Sequence, residues 1–181
     1  GQEAITLGAT WARNSLNRGL FPTAGMLNMI SSSIAIPPSD VTYGKVTHKF
    51  RYYTPAPYDF IFSARTEIGA LFAYGSTENS PPYQNFYAGG LSSVRGFKQN
   101  TLGPRSYYSS GFSQNNSSGG AYLLEGGFDM IFNLPFLEDS RSVRSSLFLD
   151  YGNVFSDECK SYEIRCSEFD LSELRYSLGV G

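Results

Sequence analysis

The stretch that decides the fold runs from Tyr58 to Tyr74, YDFIFSARTEIGALFAY. Read with a period of two, one side carries Tyr58, Phe60, Phe62, Ala64, Thr66, Ile68, Ala70, Phe72 and Tyr74, and the other Asp59, Ile61, Ser63, Arg65, Glu67, Gly69, Leu71 and Ala73. Alternate residues of a β-strand point to opposite faces, so this is a strand with an apolar side ending in tyrosines and a mixed, charge-bearing side. Two later stretches repeat the pattern. In 120–133, Tyr122, Leu124, Gly126, Phe128, Met130 and Phe132 oppose Leu123, Glu125, Gly127, Asp129 and Ile131; in 143–155, Leu147, Leu149 and Tyr151 oppose Phe148, Asp150 and Gly152. Strands of this length exceed the usual five or six residues of a globular sheet and suit a bilayer, which takes about 9–11 tilted residues. An apolar face between aromatic ends, backed by a polar face, is the pattern of a transmembrane β-barrel. The same alternation arises where a soluble sandwich packs one face on a second sheet.

Four further segments, 3–14, 26–36, 42–54 and 173–181, bring the expected strands to seven. Composition agrees with an all-β chain: 15% aromatic, 17% charged, 19 Gly and 9 Pro in 181 residues. No apolar run approaches the length of a membrane helix. A formal charge of −2 leaves no basic stripe to neutralise phosphates, which speaks against nucleic acid as a partner. The connections fall into two sets. Phe21-Pro22-Thr23, Thr54-Pro55-Ala56-Pro57 and Leu134-Pro135-Phe136 mark short turns at one end, and Pro37-Pro38-Ser39-Asp40, the stretch 75–119 and the stretch 156–172 lie at the other. Barrels of the outer membrane have short periplasmic turns and longer outside loops. The expected organisation is four barrel strands in 1–75, a long extracellular loop in 76–118 that includes much of the Ser113–Gly120 polar run, and three strands in 119–181. Gly1-Gln2-Glu3 at the start and a strand interrupted at Leu178–Gly181 are what an excised piece of a longer protein would show.

Inside the long loop, Tyr87-Ala88-Gly89-Gly90 precedes Val94-Arg95-Gly96-Phe97. The glycines allow tight turns or positive φ. Arg95 is the one cation between Tyr83 and Phe97, and if buried it needs a carboxylate partner. The chain from Gly75 to Arg95 can reach about 66 Å at ~3.3 Å per residue, enough to fold back into a barrel about 30 Å deep. Asp129 and Asp150 have the inward parity to receive it; the bland alternative is a solvated Arg95 above two lumen acids facing water. A general acid/base pair made of the same aspartates would need a pocket and shifted pKa values. His48 is the single histidine, without a second histidine for metal or nucleophile chemistry. No phosphate loop, dinucleotide fingerprint or zinc spacing occurs, so neither an enzyme nor a cofactor is expected.

The Val94–Phe97 run after Tyr87–Gly90 resembles the loop-six signature of the BamA family of outer-membrane assembly factors. The run Asn14-Ser15-Leu16-Asn17-Arg18-Gly19-Leu20-Phe21-Pro22-Thr23-Ala24-Gly25, Asn100–Arg105 and Phe148–Phe155 are similar to that family in the same order and spacing. The resemblance implies strands eight to fourteen of a sixteen-stranded barrel, without the seam strands or periplasmic domains. It implies a bacterial outer-membrane protein that inserts other barrels, with unfolded outer-membrane clients, accessory assembly lipoproteins and the lipid bilayer as partners. It also implies that Arg95 is clasped by Asp129 and Asp150. Two-partner secretion barrels share the Arg-Gly-aromatic motif, and a passive porin-like channel or a soluble β-sandwich module are the readings from other classes. In an oxidising envelope Cys159 and Cys166 are expected to form a disulfide, two free thiols being the alternative. Seven strands have open edges, which invites pairing with a second copy.

Overall fold

The computed structural model describes residues 3–77, 81–106, 116–132, 144–161 and 163–181. The strands are β1 (Ile5–Asn14), β2 (Gly25–Ile36), β3 (Tyr43–Pro55), β4 (Ile61–Ala73), β5 (Arg105–Ser106), β6 (Asn116–Ser117), β7 (Tyr122–Phe132), β8 (Ser145–Phe155), β9 (Glu163–Ile164) and β10 (Arg175–Val180). Seven of them form one antiparallel sheet in the order β1-β2-β3-β4-β7-β8-β10, each long strand beside its neighbour in sequence. β6, β5 and β9 form a second, small sheet of two-residue strands within the loops.

The alternation read from the sequence is the alternation of exposure. On β4, β7 and β8 the side chains of Phe62, Ile68, Phe72, Phe128, Met130, Leu147 and Leu149 are exposed, while Ser63, Leu71, Leu123, Glu125, Phe148 and Asp150 are buried. Aromatic pairs run from the β3–β4 turn end of the outer face toward its middle: Phe60 meets Phe132 edge to face and Phe62 stacks on Phe128, both at 6.1 Å between centroids. The core does not lie between two sheets. It lies between the inner face of the large sheet and the long loop, where Tyr43, Leu71 and Leu123 from strands pack with Phe86, Val94 and Leu102 from the loop. A soluble sandwich would bury the apolar face; here that face is the exposed one, as a lipid-facing belt requires. The sheet is curled rather than flat. Arg144, just before β8, donates to the carbonyls of Phe21 and Pro22 in the turn between β1 and β2 (2.7 and 3.0 Å), although β8 pairs with neither strand.

Three expectations are corrected. Tyr58 and Asp59 are not in β4: both have positive φ (61° and 60°), and Phe60 N–H donates to Pro57 C=O, so they form the hairpin turn between β3 and β4. Two consecutive left-handed residues are what a tight hairpin closing against twisted strands demands, and period-two alternation runs through such a turn without a break. Tyr74 likewise follows β4 and donates its hydroxyl to the Ala35 carbonyl. The contrast in loop length is also incomplete, since the connection 37–42 at the long-loop end is as tight as a turn. The turn expected around Leu134-Pro135-Phe136, and Ser113-Gln114-Asn115 of the polar run, lie outside the described residues.

The turn at 15–24 shows why the Asn14–Gly25 run has its composition. Asn17 accepts from the Thr23 and Ala24 amides through Oδ1 (3.0 and 3.2 Å) and donates to Thr23 Oγ1 (2.7 Å). One asparagine thereby satisfies groups that a turn takes out of the sheet ladder.

Candidate functional site: an inward-folded loop

The long loop enters the space enclosed by the sheet as two arms held by isolated bridges, Phe86 to Gly120 and Ala88 to Leu102. Gly89, Gly90 and Gly96 have φ of 104°, 111° and 85°, a region open to glycine, and they fold the tip back on itself. Within it Gly90 N–H donates to Val94 C=O (3.2 Å) and Ser93 N–H to Gly90 C=O (3.1 Å). The turn drives Val94, fully buried, against β8 at Gly152. A Cβ on Gly152 would lie 2.8 Å from Val94 Cγ2, so the wall is cut away where the loop lands.

Arg95 then meets both aspartates. Its Nε donates to Asp150 Oδ2 and its Nη2 to Asp150 Oδ1, each at 2.7 Å, and its backbone N–H donates to Asp150 Oδ2 at 3.0 Å. Nη2 also lies 2.7 Å from Asp129 Oδ1. The two acids are not opposite each other: Gly127 pairs with Asp150 and Asp129 with Phe148, so the carboxylates approach diagonally on one face of the β7–β8 hairpin. Phe148, between them in that pattern, stacks under the guanidinium at 3.8 Å from its centroid. An arginine fork uses all these partners at once, which a lysine cannot. The Asp150 side chain is 0% exposed and that of Arg95 19%. Hydrogen bonding to Asp150 first, and to Asp129 after it, raises the Arg95 pKa against the opposing effect of burial, so the charge is permanent. Phe97, the last residue of the motif, packs on the rim of the core.

Sequence reading missed four participants. For Phe148 the sequence shows only an inward parity. Arg65, on β4, lies 3.0 Å from Asp150 Oδ1 and donates to the Ser93 carbonyl. Ser93 donates its hydroxyl to the buried Glu125. Lys45 donates to the Gln84 carbonyl at 2.7 Å and sits 4.5 Å over the Phe86 ring, fastening the entering arm to the wall. Parity was readable for Phe148, Arg65 and Lys45, whereas Ser93 lies in the loop, where alternation says nothing; what each of them meets depends on where the folded tip lands on the wall.

Cys159 and Cys166 are joined by a disulfide, with Cα atoms 5.7 Å apart. The bond closes the connection that carries β9, and β9 pairs with β5 of the long loop. Replacing both cysteines with serine is expected to destabilise this cap by about 2–3 kcal/mol through loop-closure entropy. The check is mass shift on alkylation: non-reduced, denatured protein should take up no label, and uptake at both positions would exclude the bond.

Among the described residues no three His, Cys, Asp or Glu side chains are grouped to hold a metal ion. A cavity of about 550 Å³ lies beside the site between Phe97, Leu102, Asn153 and Arg175, and neither aspartate of the clasp lines it. The carboxylates are taken up by arginines, so their arrangement holds a loop in place.

A curled antiparallel sheet with an apolar belt outside and a loop clasped by buried ion pairs inside defines part of the wall of a transmembrane β-barrel with an inward-folded loop. The Omp85 superfamily domain matches residues 2–181, and the chain belongs to that family. It is 34% identical over 171 residues to the outer membrane protein assembly factor BamA of Neisseria meningitidis serogroup B, covering 94% of this chain and 21% of that protein. It is 27% identical over 177 residues to the sorting and assembly machinery component 50 homolog of Mus musculus, covering 93% of this chain and 35% of that protein. The crystal structure of BamA from Haemophilus ducreyi lacking POTRA domains 1–3 superposes with a TM-score of 0.81 at 28% identity, over 97% of this chain and 35% of that one. The chain thus spans between about a fifth and about a third of the length of these relatives.

Proposed function

We propose that the chain supplies consecutive strands and the inward loop of an outer-membrane barrel that folds and inserts other barrel proteins. The observation that carries this is the 34% identity to a bacterial assembly factor over nearly the whole chain. Physically, an unfolded barrel in lipid exposes strand edges that lipid cannot satisfy, and a machine offering strand edges of its own lowers that cost. In this reading residues 1–75 and 119–181 are wall and 76–118 is the extracellular loop folded inward. Val94, Arg95, Gly96 and Phe97 brace the interior and do no bond-making chemistry. Unfolded outer-membrane proteins are the clients, with accessory lipoproteins and the bilayer as the other partners. A copy isolated from its barrel would self-associate, since among the described residues β1 and β10 each pair on one side only.

The test is exchange of this chain for the matching barrel segment of the Neisseria meningitidis assembly factor in a strain depleted of its own copy. The chimera should restore assembly of trimeric porin, and the chimera carrying Arg95→Ala should do so poorly. A chimera that reaches the outer membrane folded, shown by heat-dependent mobility, yet assembles no porin would overturn the assignment.

A further inference from the structure

We propose that Arg65 is a positioning residue for the loop: it joins the barrel wall to Ser93 and so sets where Arg95 arrives, forming a second latch beside the Arg95 clasp. The inference rests on the reading of the loop as a brace and adds a part to it.

Arg65, Gly127 and Asp150 occupy one cross-strand row, Arg65 opposite Gly127 and Gly127 opposite Asp150. Directly opposed side chains on neighbouring strands are about 5 Å apart, so the residue between normally separates the outer two. Here it does not. A Cβ at Gly127 would lie 2.2 Å from Asp150 Oδ1, so the absent side chain makes room for the carboxylate to lean across β7, where Arg65 Nη2 meets it at 3.0 Å. The same Nη2 donates to the Ser93 carbonyl. Ser93 is gripped a second time by its hydroxyl, which donates to Glu125 and accepts from Gly89 N–H at 2.8 Å. Ser93 stands two residues before Arg95, whose own N–H must reach Asp150. With the Ser93 carbonyl and side chain both fixed to the wall, little freedom remains in the backbone that delivers Arg95. Arg65 also shares Asp150 with Arg95, so one buried carboxylate registers strand β4, strand β8 and the loop together.

The test uses the full-length folded barrel with Val94→Cys as a probe, since Val94 is fully buried while the loop is seated and the native cysteines are bonded to each other. The rate of maleimide labelling reads loop release, and heat-dependent mobility separately reads the barrel. Arg65→Gln should speed labelling roughly tenfold with the barrel still folded, as expected when members of one hydrogen-bonded network are coupled. Arg65→Lys, which keeps the charge and one nitrogen, should restore part of the protection. If Arg65→Gln does not fold, Arg65→Lys alone decides, and it must label faster than the parent. Labelling that stays within about twofold of the parent in every folded Arg65 variant, while Arg95→Ala labels fast, overturns the latch and leaves the brace intact. Slow labelling in Arg95→Ala as well overturns the brace on which the latch rests.

Discussion

Arg95→Ala is expected to destabilise the intact barrel by about 3–5 kcal/mol, the range seen when one member of a buried ion pair is removed. The size follows from what is left behind. Asp150 is wholly buried and Asp129 is 13% exposed, so neither carboxylate can recover its lost partner from bulk water. Asp150 retains Arg65, whereas among the described residues Asp129 retains only the hydroxyls of Ser63 (3.5 Å) and Ser146 (3.3 Å). The Phe148 ring also loses the cation above it. Arg95→Lys should recover a minority of the loss, because a single nitrogen cannot bridge two acids while stacking on a ring. The measurement is the unfolding midpoint of the folded barrel in detergent, and a change below about 1 kcal/mol would be the behaviour of a rim salt bridge instead.

The second large effect is expected on the opposite face. Phe128→Arg should destabilise the barrel in a bilayer by about 2–4 kcal/mol, the penalty for a cation on the lipid face near mid-depth. Phe128 is exposed, stacks with Phe62 and lies 6.2 Å from the Tyr151 ring, so the substitution also breaks an aromatic cluster. Unfolding in lipid vesicles checks the value. An unchanged midpoint would mean that the face does not meet hydrocarbon.

The fold was legible where side-chain periodicity alone determines it. Alternation placed β4, β7 and β8 within a few residues, because one face of each is apolar and exposed and the other is turned inward. The other four strands of the sheet were placed to similar accuracy on weaker patterns, β2 being interrupted by Ser31-Ser32-Ser33 and β3 carrying Lys45, Thr47, Lys49 and Arg51 on one face. Periodicity fails where the backbone departs from it locally. Tyr58 and Asp59 continue the alternation of β4 while their backbone turns left-handed, and β5, β6 and β9 are too short to show any period. The site was half legible. Gly89, Gly90 and Gly96 around a lone arginine point to a folded tip with a buried charge, and parity selects Asp129 and Asp150 as inward acids. Parity cannot reveal that Arg65, Gly127 and Asp150 share a row, because the register of β4 on β7 is fixed across the long loop and not by a tight turn. The role of Phe148 was hidden for a different reason: it depends on the β7–β8 register, whose diagonal placement of the two aspartates puts the ring beneath the guanidinium.

The most direct test of the loop brace is a double-mutant cycle between Arg95 and Asp150 in the full-length barrel. Parent, Arg95→Ala, Asp150→Ala and the double variant would be compared by unfolding midpoint under one set of conditions. A shared, buried ion pair predicts a coupling energy of at least about 1.5 kcal/mol, the double variant being far less damaged than the sum of the singles. Additivity within about 0.5 kcal/mol, the behaviour of independent sites, would contradict the clasp and with it the inward fold of the loop.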